Sequence, residues 1–553
     1  MTPVSLPGQV ARTRRFTLGV PGQFTVASDG ATVLFLRSRA GDDPVACLWA
    51  LDAGSGTERL LADPAALPGA DAQALPGPDA QALPGAGAHE PSSGRGTAPG
   101  PPPGREAGIT AYATDEAGGL AAFALAGELW AVEVAGGRPR RLPAQGPVAD
   151  PRPDPAGGRI AYVSAGALRV IGADGTGDRV VAAPAGPDVT FGIGAHTGAT
   201  SLDGPRGYWW APDGTRLLTA KVDSAGVGLW HIANPAEPCQ APRSIRYAAA
   251  GTANAEVTLW IAGRRGARTQ ARWDRESFEY VVGAGWDGHG PYAVVQSRDQ
   301  RTVRFLGIDP ASGQTTVLSE QHDECWVQLV PGLPARTRSG ALVGHADVAG
   351  TRHLTVDGVA VTPPGLQLRA VLATGGDEVL FTASTEPTET HLWSYRDAHG
   401  IRRLSTGAAV HSGVRRAGTL VHIARAGGPM GGRVTVLREG KPPAAVVSLA
   451  ERPVLAVHAT PLVLGARELR AVLYLPSWYR PGSRRLPVLL DPYGGAGRQQ
   501  VTAERDWRCL VSQWFAEQGF AVLAADGSGT PGRGPGWERE VHGDLYGPVL
   551  ADQ

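Results

Sequence analysis

The sequence predicts a mostly β chain: an N-terminal β-propeller of about eight blades, followed by the first part of an α/β domain. Three observations carry this expectation. Short apolar strands repeatedly follow Asp-Gly turns, and a Leu-Trp pair returns at a nearly fixed distance behind those turns. Beyond residue 452 the texture changes to strand, Gly-rich turn, helix and strand.

The turns come first. Ser28-Asp29-Gly30 precedes Val33-Leu34-Phe35, and Pro212-Asp213-Gly214 precedes Leu217-Leu218, with looser copies at residues 154–162 and 376–381. Glycine after Asp supplies the positive-φ corner of a tight turn, and the strand behind it is apolar enough to be buried. The second signature is Leu48-Trp49, Leu129-Trp130, Leu229-Trp230 and Leu392-Trp393. From turn Asp to Trp is 20 residues at Asp29, 17 at Asp213 and 16 at Asp377. A repeated four-stranded blade produces such an offset, and roughly 400 residues at about 40–50 per blade make eight. All four tryptophans are expected to fill space between blades.

Residues 1–62 are expected to hold an N-terminal segment and the first blade, 109–451 the remaining blades, and 452–553 the α/β part. Between them, 63–108 is an insertion in which Asp71-Ala72-Gln73-Ala74-Leu75-Pro76-Gly77 is repeated at 79–85. Ala, Pro and Gly at this density bury too little surface to offset chain entropy, so disorder is expected. His196 sits in a small polar loop, where solvation is the ordinary outcome, and the charged turns at 273–278 and 296–300 read as surface ion pairs.

Composition narrows the function. With 52 basic and 52 acidic residues the net charge is zero, which argues against a nucleic-acid partner held by general electrostatics. Lys221 and Lys441 are the two lysines, and 76 Gly and 46 Pro read as the drift of a GC-rich genome. Cys47, Cys239, Cys325 and Cys509 form no Cys-x-x-Cys pair, so no disulfide framework, metal site or cofactor is expected. No segment approaches the length of a membrane span, and a cytoplasmic protein is the default expectation.

The α/β part begins with a strand at 470–476. A second strand opens at Leu486 and ends in Asp491-Pro492-Tyr493-Gly494-Gly495. An amphipathic helix is expected over 506–519, with Trp507, Leu510, Val511, Trp514 and Phe515 on one face and Gly519 as its stop. The strand at 520–525 then leads into Asp526-Gly527-Ser528-Gly529-Thr530. That order predicts an open parallel sheet, whose ligands gather at the carboxyl ends of its strands.

Taken together, a long propeller, a strand ending in Tyr-Gly-Gly, a Trp-rich helix and a strand ending in Asp-Gly-x-Gly-Thr resemble the prolyl oligopeptidase family of serine peptidases. With residues 12–19 included, the chain is most similar to the bacterial dipeptidyl-peptidase-IV-like branch. The resemblance covers nearly the whole chain outside the insertion. It implies an α/β-hydrolase domain capped by a propeller that admits short or flexible peptides, with a Ser nucleophile activated by His and an Asp orienting the His. Tyr493 matches the tyrosine whose hydroxyl completes the oxyanion hole. A phenol at the end of a buried strand suits that role as a neutral, preorganised donor.

Three departures qualify the resemblance. No Gly-x-Ser-x-Gly occurs in the 553 residues, so the Ser/Asp/His triad is absent from them; the chain is expected to be truncated before the catalytic serine and inactive alone. Ser528 stands where the family has Arg, and it lacks the Gly two residues earlier that a nucleophile elbow requires. The resemblance allows a dipeptidyl aminopeptidase, but no adjacent Glu-Glu pair exists to hold a substrate ammonium; Thr200 and Ser201 occupy the loop where it is sought, which leaves the substrate-binding set unknown and that specificity open. The expected partners are peptide substrates once the enzyme is completed, not nucleic acid or membrane, with homo-oligomerisation left open. The alternative reading is a non-catalytic propeller interaction protein derived from a decayed peptidase.

Overall fold

The computed structural model describes residues 5–68, 108–195, 206–263, 266–428, 430–495 and 497–553. The repeated insertion motif, His196, Thr200 and Ser201 lie outside the described residues.

Eight antiparallel sheets follow one another along the chain, at 22–62, 112–142, 149–182, 189–270, 280–322, 335–360, 367–403 and 410–446, here numbered blades 1 to 8. Each is a meander in which sequence neighbours pair, except that blade 4 has five strands. The chain divides into two compact units. Blades 2 to 5 fall in one. Blade 1, blades 6 to 8 and the α/β part fall in the other.

The Asp-Gly turns behave as expected. Gly30 has φ +66° while Asp29 Oδ1 accepts the Ala31 N–H at 2.8 Å, and Gly214 has φ +64°. Gly30 also has a packing reason to lack a side chain, because a Cβ there would lie 2.5 Å from the Ala417 carbonyl oxygen of blade 8. Blade 8 packs on blade 1, burying Val26, Val33, Phe35 and Leu51 against Val421, Val434 and Val436. Thr419 Oγ1 donates to the Gly30 carbonyl at 2.6 Å across this seam.

Three of the four Leu-Trp pairs pack as expected. Trp49 stacks on Phe35, Trp393 stacks on Phe381, and Trp130 is buried. Leu229-Trp230 does not. It lies on a separate hairpin, Leu229–Ile232 paired with Arg243–Arg246, which leaves blade 4 after Arg216–Asp223. Leu229 is 55% exposed and Trp230 53%. The blade continues instead with Glu256–Gly263, which pairs with Arg216–Asp223 over eight residues and brings Trp260 to the core.

The α/β sheet has the order Ala459–Leu464, Leu469–Tyr474, Ala521–Asp526, Val488–Tyr493. This corrects the expectation of an all-parallel sheet. Only the last pair is parallel; Leu469–Tyr474 runs antiparallel to both of its neighbours. The Val488–Tyr493 strand is an edge, not a buried strand, with Val488 63% and Leu490 53% exposed.

The Trp507–Glu517 helix starts where its sequence says. Asp506 caps it by accepting the Arg508 N–H at 2.9 Å, and Gly519 leaves it at φ +105°. Its buried face is rotated from the expected one. Leu510, Gln513 and Ala516 are buried while Phe515 is exposed. Gln513 is fully satisfied there: its Oε1 accepts the His458 N–H at 2.7 Å and its Nε2 donates to the Leu475 carbonyl at 2.9 Å. A buried amide with those partners replaces apolar surface at little cost. Leu510 also meets Met430 and, from the Leu6–Arg12 helix region, Leu6 and Phe16.

Buried imidazoles make stability pH-dependent. In blade 6, burial pushes His345 down to about 4. In blades 7 and 8, His411 stacks on His422 with ring centroids 5.0 Å apart and meets the tilted ring of His391 at 5.2 Å. His422 is pushed down to about 4 by burial and by His411, and burial also lowers His411. A His with a depressed folded pKa contributes stability that is present above about 6.5 and lost as pH falls toward 4. Asp526, raised by burial to about 7, and Asp491, also raised by burial, act in the opposite sense, two groups against three. Denaturant midpoints measured from pH 7 to 5 should therefore fall, by on the order of 1 kcal/mol per pH unit for one net proton after discounting the partial exposure of His422.

Candidate active site

Tyr493 and Asp526 face each other as the last residues of the parallel pair Val488–Tyr493 and Ala521–Asp526. The turns beyond them are laced together: the Gly527 N–H donates to the Tyr493 carbonyl at 2.7 Å, and the Gly495 N–H to the Ser528 carbonyl at 2.8 Å. Gly529 has φ +87°, and a Cβ there would lie 2.8 Å from Gly495 Cα, so the close approach of the turns depends on this glycine.

The Asp526 carboxylate accepts the Gln500 and Val501 N–H groups at 2.9 and 3.0 Å. Burial raises it to about 7 despite those two donors. It ties the segment after Tyr493 to the end of the neighbouring strand. Gln500 Nε2 also donates to Asp491, whose pKa is raised by burial. The Arg498 guanidinium lies over the Tyr493 ring, 4.3 Å from its centroid. Tyr493 thus has a fixed backbone and a packed ring at the carboxyl end of a strand.

Ser528 is fully buried and cannot act as a nucleophile from the surface. Its Oγ lies 2.6 Å from Asp552 Oδ2 and 2.8 Å from Glu540 Oε2. A cation reaches the Ser528 hydroxyl from another part of the chain. Arg467 pairs with Asp552 at 2.6 Å and Glu540 at 2.5 Å, donates to Ser528 Oγ at 3.1 Å, and lies over Trp537. Arg467 was not singled out from the sequence.

One arrangement elsewhere imitates a catalytic triad. In blade 7, Glu389 meets His391 Nε2 at 2.8 Å, and His391 Nδ1 meets Ser405 Oγ at 3.2 Å. Ser405 is 1% exposed, its Oγ already accepts the Leu392 N–H at 2.9 Å, and Arg403 packs on the imidazole. A hydroxyl so enclosed is a structural hydrogen-bonding group, not an attacking one.

The wall carrying Tyr493 is docked on blades 6 and 7. Gln499 accepts from Arg369 and donates to the Pro387 carbonyl at 2.8 Å, and the Ala503 N–H donates to the Thr388 carbonyl at 2.8 Å. Arg470 pairs with Glu386 at 2.8 Å. Arg352 of blade 6 pairs with Asp347 at 3.0 Å and with Glu538 of the Pro535–Arg539 helix at 2.9 Å, while Arg539 reaches back to Asp347 at 2.7 Å. Among the described residues no cluster of His, Cys, Asp and Glu is arranged to hold a metal ion.

Eight meander blades followed by an α/β sheet with Tyr493 at a strand end define a mostly β fold, a propeller leading into the first part of an α/β-hydrolase domain. The chain belongs to the dipeptidyl peptidase IV family: residues 122–413, just over half of the chain, match the model of the dipeptidyl peptidase IV (DPP IV) N-terminal region. A probable dipeptidyl peptidase 4 from Aspergillus flavus is 24% identical over 429 residues, covering 69% of this chain and 55% of that protein. The chain thus spans about half the length of this curated relative. The crystal structure of Porphyromonas gingivalis dipeptidyl peptidase 4 superposes with a TM-score of 0.75 at 16% identity, covering 98% of this chain and 76% of that one. The fold expected from the sequence, a propeller leading into the first part of an α/β-hydrolase domain, is the fold observed.

Proposed function

We propose that the chain supplies the propeller and the oxyanion wall of a serine peptidase that cleaves short peptides through an acyl-enzyme. The observation that supports this reading is the placement of Tyr493, fixed beside Asp526 at the carboxyl ends of the parallel pair. In the proposed reaction a Ser hydroxyl attacks the peptide carbonyl, its proton passes to His, and the Tyr493 hydroxyl donates to the oxyanion that forms. Release of dipeptides is not part of the proposal. The sequence has no adjacent Glu-Glu pair, so the charge-assisted bonds that such a pair would give a substrate ammonium have no counterpart in it. A reducing, cytoplasmic setting is part of it, since Cys47, Cys239, Cys325 and Cys509 are all unpaired.

The 553 residues contain no Gly-x-Ser-x-Gly. A polypeptide of these residues alone is therefore expected to show no labelling by a fluorophosphonate probe above a heat-denatured control. Labelling of the native chain would overturn the assignment of the nucleophile to a segment outside it. Reading the coding sequence beyond Gln553 is the companion test: a strand followed by Gly-x-Ser-x-Gly supports the peptidase, and its absence in every frame rejects it.

A further inference from the structure

The loop at 475–487 builds a groove that the proposed chemistry does not use. It is an open cleft of about 540 Å³ at the amino ends of Val488–Tyr493 and Ala521–Asp526, lined by Leu475, Tyr479, Arg484, Arg485, Leu486 and Ala521. Tyr493 and Asp526 lie at the other ends of the same strands, about 17 Å away at the usual rise. The groove is a separate site.

Its walls and rim differ in character. Leu475, Leu486, Ala521 and the Tyr479 ring make an apolar floor. Arg484 and Arg485 line it and are exposed, as is Arg480 of the same loop, and among the described residues none of the three has a carboxylate partner. That sets them apart from Arg467, Arg470 and Arg508 of the same α/β part, each of which is paired. The Arg484 guanidinium lies 4.2 Å from the centroid of the Trp478 ring, which is itself half-exposed. Stacking holds the fork in place with its donors free. The loop is anchored from below: Glu517 accepts the Ser477 N–H and hydroxyl at 2.8 and 2.9 Å, and the Ala521 N–H donates to the Pro487 carbonyl at 2.9 Å. Three unpaired cations on an anchored loop over an apolar floor, in a chain of zero net charge, form a local feature and not a general basic surface.

We propose that this groove binds an acidic peptide segment of a partner protein, with an apolar side chain seated on the floor and flanking carboxylates bridged by Arg484 and Arg485. Arginine forks match carboxylates in bidentate geometry, and an apolar anchor supplies the remaining affinity. A nucleic acid fits less well, because its phosphates require a basic track longer than one cleft.

The test uses the whole chain and two pools of fluorescein-labelled, amidated hexapeptides, each with one fixed Leu or Phe. One pool is rich in Glu and Asp; the other carries Gln and Asn at the same positions. Fluorescence anisotropy should show the acidic pool binding at least tenfold more tightly than its amide counterpart, and the Arg484→Glu/Arg485→Glu variant should abolish that difference. Both side chains are exposed, so the variant should melt as the parent does, and Arg484→Lys/Arg485→Lys should recover part of the affinity. Equal binding of the two pools, no binding of either, or indifference to charge reversal in a folded variant would each overturn the proposal. So would displacement of the acidic pool by oligothymidylate at equal charge concentration, which would mark a general polyanion site.

Discussion

Replacing Arg352 with Ala is expected to lower the first denaturant-induced transition by about 3–5 kcal/mol. The Arg352, Asp347 and Glu538 side chains are 8%, 11% and 7% exposed. Arg352 forms a fork on Asp347 at 3.0 and 3.1 Å and spends its remaining nitrogen on Glu538 at 2.9 Å. Removing the guanidinium leaves Glu538 without its ion-pair partner in a buried site, and that uncompensated charge is the source of the loss. The pair itself is worth much less, since desolvating two charges consumes most of their attraction. Arg352→Met combined with Glu538→Met should therefore be far less harmful than Arg352→Ala. A double-mutant cycle read by guanidinium denaturation checks this, and additive losses would show that the two residues do not act as a pair.

The second large effect is chemical. In a polypeptide that carries a downstream Gly-x-Ser-x-Gly segment, Tyr493→Phe should slow acylation about 10²–10³-fold, the usual loss for one oxyanion donor. The substitution is a clean one. It keeps the ring beneath Arg498 and leaves untouched the bond from the Gly527 N–H to the Tyr493 carbonyl, so only the hydroxyl is lost. Unfolding midpoints should not move. An unchanged acylation rate would reject Tyr493 as the donor and leave it a strand-end aromatic.

How much of this was legible in the sequence depends on the range of the interaction. Asp29-Gly30 and Asp213-Gly214 were readable because a tight turn is decided within a few residues. The Asp506 cap and the Gly519 stop were readable for the same reason. Leu229-Trp230 misled because a protruding hairpin and a blade strand share the same local alternation; only the pairing of Glu256–Gly263 tells them apart. The Ala459–Leu464 strand was not seen, since its side chains are largely exposed and carry no apolar contrast. Tyr493 and the Asp526 turn could be located from their motifs. Arg467 could not, because its link to Ser528 spans 61 residues and follows no local pattern.

The seam between blades 1 and 8 sets a timetable for the chain. Thr419 and Gly30, joined by a hydrogen bond, are 389 residues apart. At about 5–20 residues per second, a ribosome needs ~20–80 s to deliver the second after the first. For that interval Val26, Val33, Phe35 and Leu51 wait without the valines that cover them. Blade 1 thus emerges before every other blade and is among the last blades to be finished, and nascent chains released early should be captured by chaperones through this blade.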